Sequence, residues 1–146
     1  MRLVVDFNVV FSAIAKGGKP LSVFELNDLA GVFEFVSPEH MNTELDRNLD
    51  KIARFSKLSK DEIETVMGYI KEKITIIPYE EFKDKACEAA EKAPHMKDVP
   101  YVALALKYDC RVLTGDSGLK GKLGGRVITP AQAADMLTGD SGTEPD

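Results

Sequence analysis

Three aspartates and one glutamate stand where chemistry could be done: Asp6, Glu44, Asp98 and Asp116. Asp6 follows the apolar run Leu3-Val4-Val5 directly, and Asp116 lies two residues beyond Thr114 at the end of Arg111-Val112-Leu113-Thr114. Short runs rich in β-branched residues read as buried strands. An acid just past such a run sits at the strand's carboxyl end, the edge where open α/β sheets bind ligands. Turns also favour aspartate for their own reasons, so position alone does not make either acid functional. Asp98 precedes Val99-Pro100 and reads as a helix cap. A capping carboxylate also stands at the helix mouth, where an ion can reach it. Glu44 belongs to a helix whose apolar face comprises Met41, Leu45, Asn48, Leu49, Ile52 and Phe55. At about 100° per residue it lies roughly 60° from Met41, on the border of that face. Glu39, Asp46 and Asp50 point away to solvent. Glu44 is therefore either a snorkelling border residue or the one acid of its helix aimed at the sheet.

Four carboxylates drawn into one place repel one another and raise each other's pKa unless a cation sits among them. Oxygen ligands of this kind suit Mg²⁺ or Mn²⁺ rather than zinc or copper. Such ions activate water and stabilise the leaving oxygen in phosphodiester cleavage. Other chemistries find less support. His40 and His95, with Cys87 and Cys110, form no C-x-x-C or H-x-x-x-H spacing for zinc, and the two cysteines are expected as buried free thiols. Gly17-Gly18-Lys19-Pro20 lacks the spacing of a phosphate loop. Gly115-Asp116-Ser117-Gly118 looks superficially like a serine-protease nucleophile segment, without the strands or the His–Asp partners that chemistry needs. Lys97, Lys120, Lys122 and Arg126 are expected near the same sheet edge as the acids, where they would either hold substrate phosphates or stand as solvated loop charges. Lys16 and Lys19 are candidates for the opposite wall of that groove.

The elements that must position these groups follow from periodicity. The chain has 146 residues, 44% hydrophobic and 29% charged, which suits one compact domain. Strands are expected at Leu3 to Val5, Val32 to Val36, Ile74 to Ile77, Arg111 to Thr114 and Arg126 to Thr129. Between them the spacing predicts a helix from Leu21 to Ala30, stopped by Gly31. A second should begin at Ser37-Pro38, with a capping hydroxyl and a first-turn proline, and run through Met41, Leu45 and Ile52 to Phe55. A capping box at Ser59 to Glu62 opens a third, Glu80 to Lys92 is helical by composition, and further helices follow Asp98 and Pro130. Strands alternating with helices imply a parallel sheet covered on both faces. The domain is expected over residues 1–137, with a disordered tail over 138–146. No stretch approaches the roughly 20 apolar residues of a membrane helix, and Asp6 interrupts the only apolar run near the first residue, so the protein is expected in the cytoplasm. A net charge of −5 argues against a generic electrostatic nucleic-acid binder, though not against a nuclease whose acids are neutralised by metal.

These residues resemble a PIN domain. Leu3-Val4-Val5-Asp6-Phe7-Asn8-Val9-Val10-Phe11 is similar to the family's first strand with its Asp-x-Asn hallmark. Ser37-Pro38-Glu39 through Glu44-Leu45 resembles the helix carrying its glutamate. Lys97-Asp98-Val99-Pro100-Tyr101 resembles the helix with the third acid, and Val112-Leu113-Thr114-Gly115-Asp116 the closing Thr-x-Asp motif. The resemblance implies a three-layer α/β/α domain around a central, mainly parallel sheet of about four to five strands. It also implies a metal-dependent endoribonuclease with Asp6, Glu44, Asp98 and Asp116 around Mg²⁺ or Mn²⁺. Asn8 and Thr114 would orient those carboxylates or the attacking water. RNA is the implied substrate, in-line attack by metal-activated water the implied reaction, and a toxin of a toxin–antitoxin pair the implied setting. An antitoxin protein and a second copy of the chain are the candidate protein partners. A further acid common shortly after the last motif is missing from Ser117 to Lys120, which bears on a second metal. No histidine falls within the motifs, so proton transfer is expected of a carboxylate or of water. Two rivals remain: a non-catalytic PIN-like module that binds RNA or protein, which the intact acids disfavour, and an aspartyl-nucleophile phosphohydrolase, weakened because Asn8 replaces a second aspartate.

Overall fold

Leu3, Val4 and Val5 have no exposed surface, as a strand covered on both faces requires. They form β1 (Arg2–Val5), the middle strand of a five-stranded sheet in the computed structural model, which describes residues 1–139. With β2 (Glu34–Pro38), β3 (Ile74–Ile77), β4 (Arg111–Leu113) and β5 (Val127–Ile128), the order is β3-β2-β1-β4-β5. Every neighbouring pair is parallel, so the mainly parallel sheet expected from the sequence is wholly so. From β1 the chain builds outward through β2 and β3, then returns to β4 on the other side. The switch in direction falls between β1 and β4, and a crevice opens at their carboxyl ends.

Helices cover this frame. α1 (Phe7–Ala15) packs on α2 (Gly18–Ala30), α3 (His40–Arg47), α4 (Leu49–Phe55) and α5 (Lys60–Lys73), and α2 packs on α9 (Pro130–Thr138). α7 (Val99–Tyr108) packs on β1, β2 and β4 beside α6 (Ala86–Lys92). The core joins Phe24 and Phe35, with ring centroids 5.0 Å apart, to Leu104, Val112 and Leu113. Sequence signals set several boundaries. Ser59 and Glu62 form the capping box that opens α5, and Thr129 and Gln132 form a second at α9. α2 ends at Gly31, whose φ of 63° suits a residue without a side chain. No helix among the described residues is long and apolar enough to cross a membrane.

Several expectations need correction. Ser37 and Pro38 do not open a helix but extend β2, opposite Ile76 and Ile77. The Ser37 hydroxyl donates to the Val5 carbonyl at 2.7 Å across the sheet, so it is not free to cap. The helix expected to continue through Asn48 breaks there into α3 and α4. Asn48 donates its side-chain amide to the Glu44 carbonyl at 2.7 Å, a local bond that competes with helical pairing. The break leaves Leu49 and Phe55 exposed, off the apolar face assigned to them. Glu80 to Lys92 becomes two 3-10 turns, Tyr79–Glu81 and Lys83–Lys85, before α6. α8 (Ser117–Leu123) was not anticipated. Cys87 is exposed and Cys110 only partly covered, both as free thiols. α9 includes Thr138, and the tail expected beyond it falls, from residue 140, outside the described residues.

Ser37→Ala leaves the buried Val5 carbonyl without its donor. It should cost about 1–3 kcal/mol, the usual penalty for an orphaned buried partner, read as a lower urea midpoint with an unchanged slope; an unshifted midpoint would contradict this role.

Candidate active site

Asp6 is fixed from two directions. Its backbone N–H donates to the Leu113 carbonyl at 3.1 Å, joining the ends of β1 and β4. Its Oδ2 accepts from the Thr114 hydroxyl at 2.8 Å, and the side chain makes no bond to the start of α1. Thr114 is completely buried, and its own N–H donates to the Ile128 carbonyl of β5 at 3.0 Å. The same hydroxyl oxygen accepts from the Asp116 N–H at 3.0 Å, so one side chain links two of the acids. Asp116 caps α8, its Oδ1 accepting from the Gly118 N–H at 2.7 Å. A side chain at 118 would place its first carbon 3.1 Å from that oxygen, so glycine keeps the approach open.

Glu44 does not snorkel. Tyr101, 1% exposed, donates its hydroxyl to Glu44 Oε1, and His40 Nε2 lies 3.6 Å from the same oxygen. The Glu44 side chain is only 14% exposed. Burial, then the neighbouring Glu44 carboxylate, drives the Tyr101 phenol far above its ordinary pKa, so it remains a donor.

Asp98 overturns its reading as a cap. It occupies the position before α7, but with helical backbone (φ −85°, ψ −15°) and no side-chain cap bond. Pro100 stands at the second helical position, where a capping aspartate would seek an N–H, and proline has none. Asp98 is 3% exposed, and its Oδ2 is the one buried side-chain oxygen or nitrogen without a hydrogen-bond partner among the described residues. A buried carboxylate oxygen with nothing to bond is costly, so something else must offset it.

The electrostatics tie the acids together. Burial lifts the Asp6 carboxyl to about 6; the Thr114 hydrogen bond opposes the rise, and the carboxylates of Asp98, Glu44 and Asp116 add to it. Burial also raises Asp98, with Asp116 adding and Lys97 and His95 opposing. Glu44 is raised by burial against the Tyr101 hydrogen bond and the charges of His40 and Lys97. Four acids and Lys97 thus share one neighbourhood. Among the described residues, no three or more His, Cys, Asp or Glu side chains are placed together so as to hold a metal ion. The donor chemistry nonetheless fits a hard divalent cation: oxygen ligands throughout, repulsion only partly offset by Lys97 and the two histidines, and one buried oxygen unpaired.

The remaining expected residues divide. Asn8 is exposed and lines a small cleft of about 220 Å³ with Ser12, Gly115 and Asp116. Lys97 is exposed and acts on Glu44 and Asp98. Lys120 and Lys122 are exposed on α8, where the Lys120 backbone N–H donates to the Asp116 carbonyl at 3.1 Å. Arg126 does not belong to this edge. It pairs with Asp109 at 3.4 Å and lines a cleft with Arg2 and Arg111, at the amino ends of the strands. Lys16 lines a different cleft, with Phe55 and Leu58, and Lys19 is exposed without a recorded partner among the described residues. Two site neighbours escaped the sequence reading, which held that no histidine falls within the motifs. His40 stands four residues before Glu44 on α3, a spacing that marks helical neighbours. Tyr101 stands three residues after Asp98 on α7, with nothing in the sequence to signal its hydroxyl's partner.

Asp6 supplies a test by pH. Its folded pKa lies above the ordinary carboxylate value, so between about pH 4 and 6 the folded chain holds a proton that the unfolded chain has lost. Metal-free stability should therefore fall as pH rises through that window and stay lower above it. Asp6→Asn should raise metal-free stability at pH 7.5 by up to roughly 3 kcal/mol, a gain that vanishes near pH 4; thermal melts in chelator check it, and a variant less stable than wild type at pH 7.5 would refute it.

The comparisons with known proteins agree with this architecture. The PIN domain profile matches residues 4–125, a span that includes all four acids. A solved structure, that of VapBC2 from Rickettsia felis bound to a DNA fragment from their promoter, is similar in fold, with a TM-score of 0.61. Identity is 17%, and the alignment covers 88% of this chain and 97% of that one, a likeness of fold alone. No curated protein matches. With the family profile matching most of its length, the chain belongs to the PIN domain family.

Proposed function

We propose that this PIN domain is an endoribonuclease that uses Mg²⁺ or Mn²⁺ held by Asp6, Glu44, Asp98 and Asp116, and that it serves as the toxin of a toxin–antitoxin pair. The observation that carries the reading is the buried, unpartnered Asp98 Oδ2 beside three further carboxylates. Protein donors satisfy one oxygen each on Asp6, Asp116 and Glu44, leaving that atom as the buried acceptor most in need of a cation. The expected domain, residues 1–137, is part of the proposal, as are an antitoxin partner, a second copy of the chain and a cytoplasmic setting. The antitoxin rests on the similarity of fold to a chain of VapBC2.

The cation, when bound, supplies Lewis acidity toward water and charge to stabilise the leaving oxygen. The chain's own groups do the positioning. Thr114 holds Asp6 Oδ2 and, through the Asp116 N–H, sets the distance between the acids that follow β1 and β4. Tyr101 holds Glu44 through Oε1. Lys97, exposed beside Asp98 and Glu44, offers a cation to the substrate phosphate. Asn8, at the rim of the Asp116 cleft, orients water or a carboxylate. Water then attacks phosphorus in line with the departing oxygen, a carboxylate accepts its proton, and no covalent intermediate forms.

The test is cleavage of RNA by the purified chain with Mg²⁺ or Mn²⁺, beside Asp6→Asn and Asp98→Asn. Both variants should fold and lose nearly all activity, and chelator should silence the wild type. A folded Asp98→Asn protein that cuts at the wild-type rate would overturn the assignment. Mn²⁺ titration gives an independent check: wild type should gain thermal stability with the ion and Asp98→Asn much less, whereas a folded wild type that takes up no Mn²⁺ would favour a non-catalytic binding module.

A further inference from the structure

A chain of net charge −5 with four acids at its site repels the polyanion it is proposed to cut. Lys97 acts on two of those acids, Glu44 and Asp98. Contacts that do not depend on charge must supply much of the hold, and for nucleic acid the strongest of these is stacking of a base on an aromatic ring.

Such a surface adjoins the acids. A cleft of about 500 Å³ lies at the carboxyl ends of β2 and β3, lined by Pro38, His40, Asn42, Thr43, Tyr79 and Pro100 among others. It begins where the acids end: His40 is both its wall and the neighbour of Glu44 at 3.6 Å, and Pro100 follows Asp98 by two residues. Tyr79 is 46% exposed, yet it is held in place. Its backbone N–H donates to Glu39 Oε1 at 3.0 Å, and its ring meets Phe82 at 82°, with centroids 5.5 Å apart. Neither its hydroxyl nor the side chains of Asn42 and Thr43 have a recorded hydrogen-bond partner among the described residues. An open ring beside unspent amide and hydroxyl groups matches a nucleobase, which offers a π-face and a polar edge.

We propose that this cleft receives one unpaired base of the substrate, stacked on Tyr79, with Asn42 and Thr43 reading its edge. A base paired in a duplex cannot stack there, so the cleft reads an unpaired base. The inference rests on the ribonuclease reading above and adds to that site a position for one base on Tyr79.

The test uses a single-stranded oligoribonucleotide carrying 2-aminopurine, the same strand annealed to its complement, and the full chain with Mg²⁺. Tyr79→Ala should raise KM for the single strand at least about fivefold, the smallest effect expected of one stacked base. Its kcat should stay within about twofold of wild type, the pattern of lost substrate binding. Tyr79→Phe should restore KM, whereas Tyr79→Leu, which keeps the apolar packing on Phe82, should not. 2-Aminopurine emission should fall on binding to wild type and to Tyr79→Phe but not to Tyr79→Leu. The duplex should be cut poorly by all variants alike. Cleavage that depends on Asp98 but is indifferent to Tyr79→Leu would overturn the cleft and leave the nuclease standing. Absence of both cleavage and any change in emission for every variant would overturn the two together.

Discussion

Repulsion between carboxylates is the force this fold must manage. Asp6 follows β1 beside the crevice that a doubly wound sheet leaves, and the charges of Glu44 on α3, Asp98 before α7 and Asp116 beyond β4 all act on it. Two of them, Asp6 and Asp98, are almost fully buried. Burial first, and the neighbouring carboxylates after it, raise both above the ordinary carboxylate range. A structure gains nothing in stability from such a grouping, and the rest of the molecule can be understood as what makes it tolerable.

Its means are few and rigid. Thr114 places one hydroxyl between two acids, taking a hydrogen bond from the backbone of Asp116 and giving one to Asp6. Tyr101 reaches from α7 to Glu44 on α3, through a core in which its own ring is buried. Ser37 pins β2 to the end of β1, so that the glutamate-bearing helix leaves the sheet at a fixed point. Ser37 sits on a strand, Tyr101 on a buried helix face, and Thr114 is buried directly after β4 with its N–H tied to Ile128, which holds the acids in place.

Much of this was legible in the sequence because the relevant signals are local. The fully apolar Leu3 to Val5 run marks a central strand, and Asp6 and Asp116 follow their strands at once, so strand polarity alone places them at one edge. The angular position of Glu44 on its helix sets it apart from Glu39, Asp46 and Asp50, and Glu44 is the one that Tyr101 holds. What the sequence hid depends on partners distant along the chain: the Ser37 hydroxyl serves Val5, and the Tyr101 hydroxyl serves Glu44. Other errors were avoidable. Pro100 removes one of the two N–H groups that a capping Asp98 could use, and Arg126 precedes its strand, which assigns it to the amino edge. Asn48 carries a known helix competitor in the middle of an apolar stripe, and α3 and α4 part there.

The attachment of Thr114 to Ile128 has a mechanical corollary. β5 is two residues long and leads straight into α9, which docks on α2. A pull on the far end of that last helix would therefore pass through a very short tether to the residue that spaces Asp6 from Asp116. The seat of α9 on α2 is thus joined, by two residues of β5, to the threonine that stands between the two acids.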